Sequence, residues 1–196
     1  MQKVNKEAPF QTRVWAYHLD LEGSLFPVWN FNRFSKGDLM IVKVNDGSLM
    51  SAAKIHSESW KESHKSFCST DFVEQHTAEH QENYLRGEIK AGKKVYMLVE
   101  NRPVGIVSVY ESLIENLYIL PDEQNKGYGT KLLLFAMRRC PEAPTLWILG
   151  NNYRAYSLYS KYGFRKTGKQ NKLSQNLSEI EMKCNGPREE RRADSL

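Results

Sequence analysis

Apolar and polar positions along the chain fall into short runs whose regularity changes near residue 39. Before that point aromatic residues crowd together: Trp15, Tyr17, Phe26, Trp29, Phe31 and Phe34. Trp15, Tyr17 and Leu19 alternate with Ala16 and His18, as in a strand with one covered face. Gly23, Pro27 and Gly37 cut the segment into pieces. Rings in this number need cover, so residues 1–38 are expected to pack on the main domain or on a second subunit, which leaves a homodimer open. From Leu39 the pattern predicts a strand to Val44, closed by the turn signal Asn45-Asp46-Gly47. Ser48 can then cap a helix through Ala52, Ile55, Ser59 and Trp60. The polar stretch from Lys61 to Glu88 reads as a loop and another helix. Lys94–Glu100 and Pro103–Glu111 are β-rich runs around a tight hairpin at Asn101-Arg102, and a third strand covers Ile114–Leu120. A helix over Thr130–Arg139, a strand over Thr145–Leu149 and a helix over Tyr153–Tyr162 stopped by Gly163 follow. Strands over Phe164–Gly168 and Ser178–Cys184 complete the set. Hairpins first, then strands alternating with helices, predict a mixed α/β (α+β) domain around one sheet at 39–184. The charged, apolar-poor residues 185–196 read as a loose tail.

Composition narrows the function classes. At 196 residues, 40% hydrophobic and 26% charged, the chain can bury one full core. No apolar run approaches the roughly 18 residues of a membrane span, and Lys3, Lys6 and Glu7 are unlike the start of a signal peptide. Cys68, Cys140 and Cys184 are widely spaced and odd in number, which predicts free thiols in a reducing cytoplasm, with neither a disulfide framework nor a metal site. A net charge of +5 suits either nucleic acid or a polyanionic cofactor. The cations form no long run with interleaved aromatics, so nucleic acid is not the expected partner.

Gln124-Asn125-Lys126-Gly127-Tyr128-Gly129 lies between the Ile114–Leu120 strand and an apolar helix. Two glycines one residue apart let backbone approach a ligand, and the following helix begins with unpaired N–H groups suited to phosphate. Lys126 and Lys131 add positive charge. Such a strand–turn–helix is also a common tight connection. It is not a dinucleotide fingerprint, because Leu132 stands where a third glycine is needed, nor a Walker loop, because Tyr128 follows Gly127.

The run Leu117-Tyr118-Ile119-Leu120-Pro121-Asp122-Glu123-Gln124-Asn125-Lys126-Gly127-Tyr128-Gly129 resembles the strand, proline, acidic loop and Q/R-x-x-G-x-G/A signature of the GNAT N-acetyltransferase superfamily. Asn152-Tyr153-Arg154-Ala155, followed by Tyr159-Ser160-Lys161-Tyr162-Gly163-Phe164, is similar to that family's N-x-R-A…Y-x-K-x-G-F block, in the same order and spacing. The resemblance covers about 39–184. It implies a central, mostly antiparallel sheet with a splayed strand pair, flanked by helices, and acetyl-CoA as co-substrate without a metal.

By that resemblance Leu117, Tyr118 and Ile119 line the cofactor's pantetheine arm, with Ile119 making the main-chain contacts. The backbone of Gln124, Asn125, Lys126, Gly127, Tyr128, Gly129 and Thr130 holds the pyrophosphate, and Asn152 meets the arm, although Asn before a helix is also a plain N-cap. Tyr159 is implied as general acid to the departing thiolate, while its helical spacing with Ala155, Leu158 and Tyr162 also suits core packing. The attacking amine must lose a proton, and Glu115 at the start of the splayed strand is the candidate base, with Glu111, His56, His76 and His80 as rivals. Strict alternation puts Glu115 on one face with Leu117 and Ile119, opposite Asn116 and Tyr118. The window from His56 to Lys90 holds seven carboxylates against four cations, which favours a cationic small-molecule or peptide amine. The alternative is an acyl-CoA-binding module without turnover.

Overall fold

The structure is a computed structural model that describes residues 17–19, 25–27, 39–173 and 177–185. By contacts the chain divides into two units, Met1–Ser35 and Lys36–Leu196. In the first, β1 (Tyr17–Leu19) pairs antiparallel with β2 (Leu25–Pro27), His18 opposite Phe26. The rest of the packing expected of residues 1–38, and the loose tail expected after Asn185, lie outside the described residues.

The second unit is a seven-stranded sheet with helices on both faces. In chain order its elements are β3 (Met40–Lys43), α1 (Asp46–His64), α2 (Thr70–Glu74), α3 (Ala78–Lys90), β4 (Lys94–Val99), β5 (Pro103–Tyr110), β6 (Leu113–Ile119), α4 (Tyr128–Met137), β7 (Thr145–Leu149), α5 (Tyr153–Lys161), β8 (Phe164–Lys172) and β9 (Ser178–Cys184). The strands lie in the order β3-β4-β5-β6-β7-β9-β8, and every pairing is antiparallel except β6 with β7. This is the mixed, mostly antiparallel architecture expected. Among the described residues no helix is long and apolar enough to cross a membrane.

Local chemistry sets the element ends, and in three places it corrects the reading from sequence. Asn45-Asp46-Gly47 is the start of α1 and not a turn. Asn45 is the N-cap, and its Oδ1 accepts from the Ser48 amide (3.1 Å) while the Ser48 hydroxyl accepts from the Asn45 amide (3.0 Å), a reciprocal capping box. The polar stretch after α1 holds two helices, α2 and α3, capped by Ser69 and Thr77. Helix α4 begins at Tyr128, so Thr130 lies inside its first turn.

The core has two halves. On one face Leu49, Ala52, Ala53 and Ile55 of α1 and Leu85 of α3 cover Val95, Met97 and Ile106 of the sheet. On the other, Leu132, Leu133 and Phe135 of α4 and Tyr159 of α5 cover Val107, Ile114, Ile119 and Leu146. Burying each such side chain contributes about 1.5–3 kcal/mol.

The sheet is not regular where it matters. Ser108 of β5 faces Glu115 of β6 and Ile106 faces Tyr118, so Val107 alone opposes both Asn116 and Leu117. That is a β-bulge, and its extra residue, Asn116, has φ of 49°, a left-handed conformation that Asn tolerates better than most residues. Three side-chain contacts stabilise it: Asn116 Nδ2 donates to Ser108 Oγ (3.3 Å) and lies 3.5 Å from the Tyr84 hydroxyl, and Oδ1 meets His56 Nε2 at 3.3 Å. A bulge bends its strand and raises the local twist. Parallel pairing of β6 with β7 accordingly covers only Leu113↔Thr145 and Ile114↔Leu146, just before the bulge. Beyond it the two strands part.

Gly105 of β5 lies under the far end of this opening, opposite Ile119. A Cβ there would stand 2.5 Å from Ile119 Cδ1, 3.0 Å from the Tyr118 carbonyl oxygen and 3.1 Å from Leu132 Cδ1. Gly105→Ala should therefore cost about 1–3 kcal/mol in urea denaturation, as overpacking does. Gly87→Ala, in α3 with nothing within 4 Å of the added carbon, should instead stabilise by about 0.5–1 kcal/mol. Equal stability of Gly105→Ala and wild type would show that β6 is not seated against that glycine.

Candidate active site

The opening between β6 and β7 has main-chain groups to offer. The Leu120 amide donates to the Val104 carbonyl (3.0 Å), which makes Ile119 and Gly105 a non-hydrogen-bonded pair. Ile119 thus turns its own N–H and C=O away from β5 and into the gap. The carbonyl accepts from Gln124 Nε2 at 3.2 Å. Tyr118, one residue earlier and paired with Ile106, turns its backbone toward β5. The Leu117 side chain packs on the α4 and α5 face.

The glycine loop closes one end of the gap. Asn125 (φ 66°) and Gly127 (φ 83°) are both left-handed, and Gly127 is the N-cap of α4. The first helical bond runs from Lys131 N to Gly127 O (3.1 Å), so the amides of Tyr128, Gly129 and Thr130 precede it without helical partners. With the positive end of the helix dipole, these amides suit a pyrophosphate. A Cβ on Gly129 would meet Leu158 Cδ2 at 3.6 Å, an ordinary contact, so packing alone does not demand glycine at this position. Lys126 is paired with Glu123 (2.7 Å), which also meets Arg102 (2.9 Å), so its charge is partly spent. The cation that sequence reasoning missed is Arg154 of α5. Its guanidinium donates to two neutral amides, Gln124 Oε1 (3.0 Å) and Asn125 Oδ1 (2.7 Å), and keeps its full charge beside the loop. Asn152 caps α5, its Oδ1 accepting from the Ala155 amide at 3.0 Å.

On the opposite face of the sheet, under α1 and α3, lies a cavity of about 440 Å³. Glu115, Asn116 and Tyr118 of β6 all line it. This overturns the alternation read from sequence: the bulge adds a residue, so Glu115 shares a face with Tyr118 and not with Leu117 and Ile119. His56, His76 and His80 also line the cavity, whereas Glu111 is exposed at the β5–β6 turn and does not. Trp60 forms a rigid wall, stacked on His76 (ring centroids 3.4 Å apart) and on His64 (3.8 Å), with Ser57 Oγ donating to the His76 carbonyl (2.5 Å). Sequence reasoning missed Trp147, Asn171 and Glu179, which β7, β8 and β9 bring to the same cavity from far along the chain.

Lys93, between α3 and β4, pairs with Glu88 and with Glu115 Oε2 (2.5 Å). Burial opposes the ammonium charge, but the Glu115 and Glu88 carboxylates outweigh it and hold the pKa above the ordinary lysine range. The pairing leaves Glu115 Oε1 as the other oxygen. Burial also lowers the His56 pKa to about 4, against the opposing hydrogen bond to Asn116, so the ring is neutral at pH 7. Asn116 Nδ2 already donates to Ser108, which makes Oδ1 the acceptor and puts the His56 proton on Nε2; Nδ1 is buried without a partner. Burial raises the Tyr118 phenol above its usual range, and Tyr84, Tyr159 and the Glu179 carboxylate push the same way. Tyr159 is buried among the α4 and α5 side chains, and burial pushes its pKa up to about 12.

Residues 91–166 match the acetyltransferase (GNAT) domain model. No curated protein sequence matches the chain. Among solved structures it is similar to the PaiA N-acetyltransferase of Thermoplasma acidophilum, solved with coenzyme A (20% identity, TM-score 0.58, covering 74% of this chain and 99% of that one). A GCN5-related N-acetyltransferase of Rhodopseudomonas palustris gives 20% identity and a TM-score of 0.61, covering 78% and 98%. YncA of Salmonella typhimurium, a putative acetyltransferase solved with acetyl-CoA, gives 20% and 0.55, covering 74% and 92%. At these identities the solved structures establish the fold.

The neutral His56 links stability to pH. Its pKa is about 4 when folded against 6.5 unfolded, so between those values the unfolded chain binds more protons and stability falls as pH falls. Across that window the loss should reach on the order of 3 kcal/mol. Urea denaturation at pH 7, 5.5 and 4.5 should show it, and His56→Gln should flatten the slope by up to one proton. An unchanged slope in that variant would mean that another group carries the acid sensitivity.

Proposed function

We propose that the chain, whose residues 91–166 match the GNAT acetyltransferase domain model, transfers an acetyl group from acetyl-CoA to a primary amine held in the cavity under α1 and α3. The observation that carries this reading is the gap between β6 and β7. It has the glycine loop at one end, the Ile119 N–H turned into it and the acceptor cavity on the opposite face of the same strand. Bound there, acetyl-CoA supplies an activated acetyl thioester. The amides of Tyr128, Gly129 and Thr130, with Arg154 beside them, hold its pyrophosphate, and Ile119 holds its arm.

The protein's own residues handle two protons. An amine attacks only as the free base, so its proton must leave. Glu115 is the carboxylate placed for this, with Lys93 anchoring Oε2 and so orienting Oε1. Tyr159 does the converse: with a pKa near 12 its hydroxyl holds its proton at neutral pH and can give it to a departing thiolate. Coenzyme A release in the presence of an amine panel tests the whole reading. Tight acetyl-CoA binding without release would favour a binding module instead.

Three substitutions test the parts. Gly129→Val should abolish acetyl-CoA binding in calorimetry while circular dichroism stays native; unchanged affinity removes the loop from the site. Glu115→Gln should lower kcat by about 10²–10⁴, with the deficit shrinking at high pH where the amine deprotonates unaided. A variant within a few-fold of wild type at every pH moves the role to another group. Tyr159→Phe keeps the ring, so stability should hold while kcat falls by about tenfold to several hundredfold. That deficit should narrow with a thioester of a more acidic thiol. Lost stability with normal turnover per folded molecule would make the hydroxyl structural.

A further inference from the structure

The cavity carries more negative charge than the reaction needs. Two carboxylates line it, Glu115 and Glu179, and no Lys or Arg does. Glu115 has Lys93 as its counter-ion. The Glu179 carboxylate has neither an ion pair nor a hydrogen bond among the described residues, and it sits on β9 opposite Leu149, on the far side of β7 from β6 and at the level where β6 and β7 have parted. One ammonium cannot satisfy both. The amine that reacts must also shed its charge before it attacks, so it cannot remain the partner of a standing carboxylate. The same cavity is lined by four aromatic rings, Trp60, Tyr84, Tyr118 and Trp147. Such rings accept a hydrocarbon arm and attract ammonium groups to their faces. An independent sign that the cavity is built for a ligand is His56, 4% exposed and lining it, with Nδ1 unpartnered.

We propose that the acceptor is a diamine, with a reacting primary amine toward the gap and a second amine that stays protonated and is held by Glu179, the two joined by a short hydrocarbon arm along the aromatic wall. Glu179 is then a specificity-determining residue. The proposal rests on the amine-acetylation reading for the role of the first nitrogen, but its binding test does not depend on turnover.

The test uses matched probes: butane-1,4-diamine and pentane-1,5-diamine against n-butylamine and n-pentylamine, titrated by calorimetry into the full chain without acetyl-CoA. The wild type should bind each diamine at least tenfold more tightly than its monoamine. Glu179→Gln, isosteric and checked for unchanged thermal stability, should erase the difference, and Glu179→Asp should keep part of it. In coenzyme A release assays the same loss should appear in KM for the diamines and leave the monoamines untouched. Equal binding of diamine and monoamine by the wild type overturns the proposal, as does a preference that survives in Glu179→Gln. An equal fall of kcat for both amine classes in that variant also overturns it, because Glu179 would then be moving the reaction's proton. A diamine preference without coenzyme A release from any amine would instead count against acetyl transfer and leave the binding site standing.

Discussion

The site depends on Asn116 holding a left-handed backbone in the middle of β6. Left-handed residues other than glycine are unfavourable, and this one is retained because its side chain reaches Ser108, Tyr84 and His56 at once. Without the bulge, β6 would run on beside β7 and its outer main-chain groups would be consumed by the sheet. With it, pairing stops at Ile114, and a gap opens beyond it between β6 and β7. The same extra residue moves Glu115 to the cavity face. One local insertion thus sets both where the strands part and which β6 carboxylate lines the cavity.

The two faces differ in their electrostatics, and each suits a charge of opposite sign. The loop face presents unpaired amides, a helix N-terminus and the Arg154 guanidinium, all favouring an anion. The cavity face presents carboxylates, aromatic walls and a histidine kept neutral by burial, all favouring a cation. A phenol stands on each side of β6, Tyr118 toward the cavity and Tyr159 toward α5, and both keep their protons. The sheet is therefore a partition between opposite fields, opened where β6 parts from β7.

Much of this was legible in the chain because it is local. The hairpin strands, the glycine loop and the helix beginning at Tyr153 follow from periodicity and from Gly, Pro and Asn at fixed offsets, and the two motif blocks located the loop and Tyr159. Asn45 was misread because Asn serves turns and helix caps with the same side-chain acceptor. The bulge was invisible because Glu115, Asn116 and Leu117 read as ordinary alternation; only the pairing of β6 with Ser108 and Ile106 reveals the extra residue. Trp147 and Glu179 could not have been found from spacing. They reach the cavity through the strand order β6-β7-β9, a consequence of topology that no local pattern encodes.

The contacts around Gln124 have a thermodynamic meaning of their own. Its amide nitrogen is bonded to the Ile119 carbonyl and its amide oxygen to Arg154, which also grips Asn125. These three links join the end of β6, the glycine loop and the start of α5 into one braced unit. A loop so braced has already lost the backbone freedom that phosphate binding would otherwise remove, at about 1–2 kcal/mol per residue fixed. More of the intrinsic attraction between the loop and an anion is then expressed as affinity, the gain that preorganisation brings.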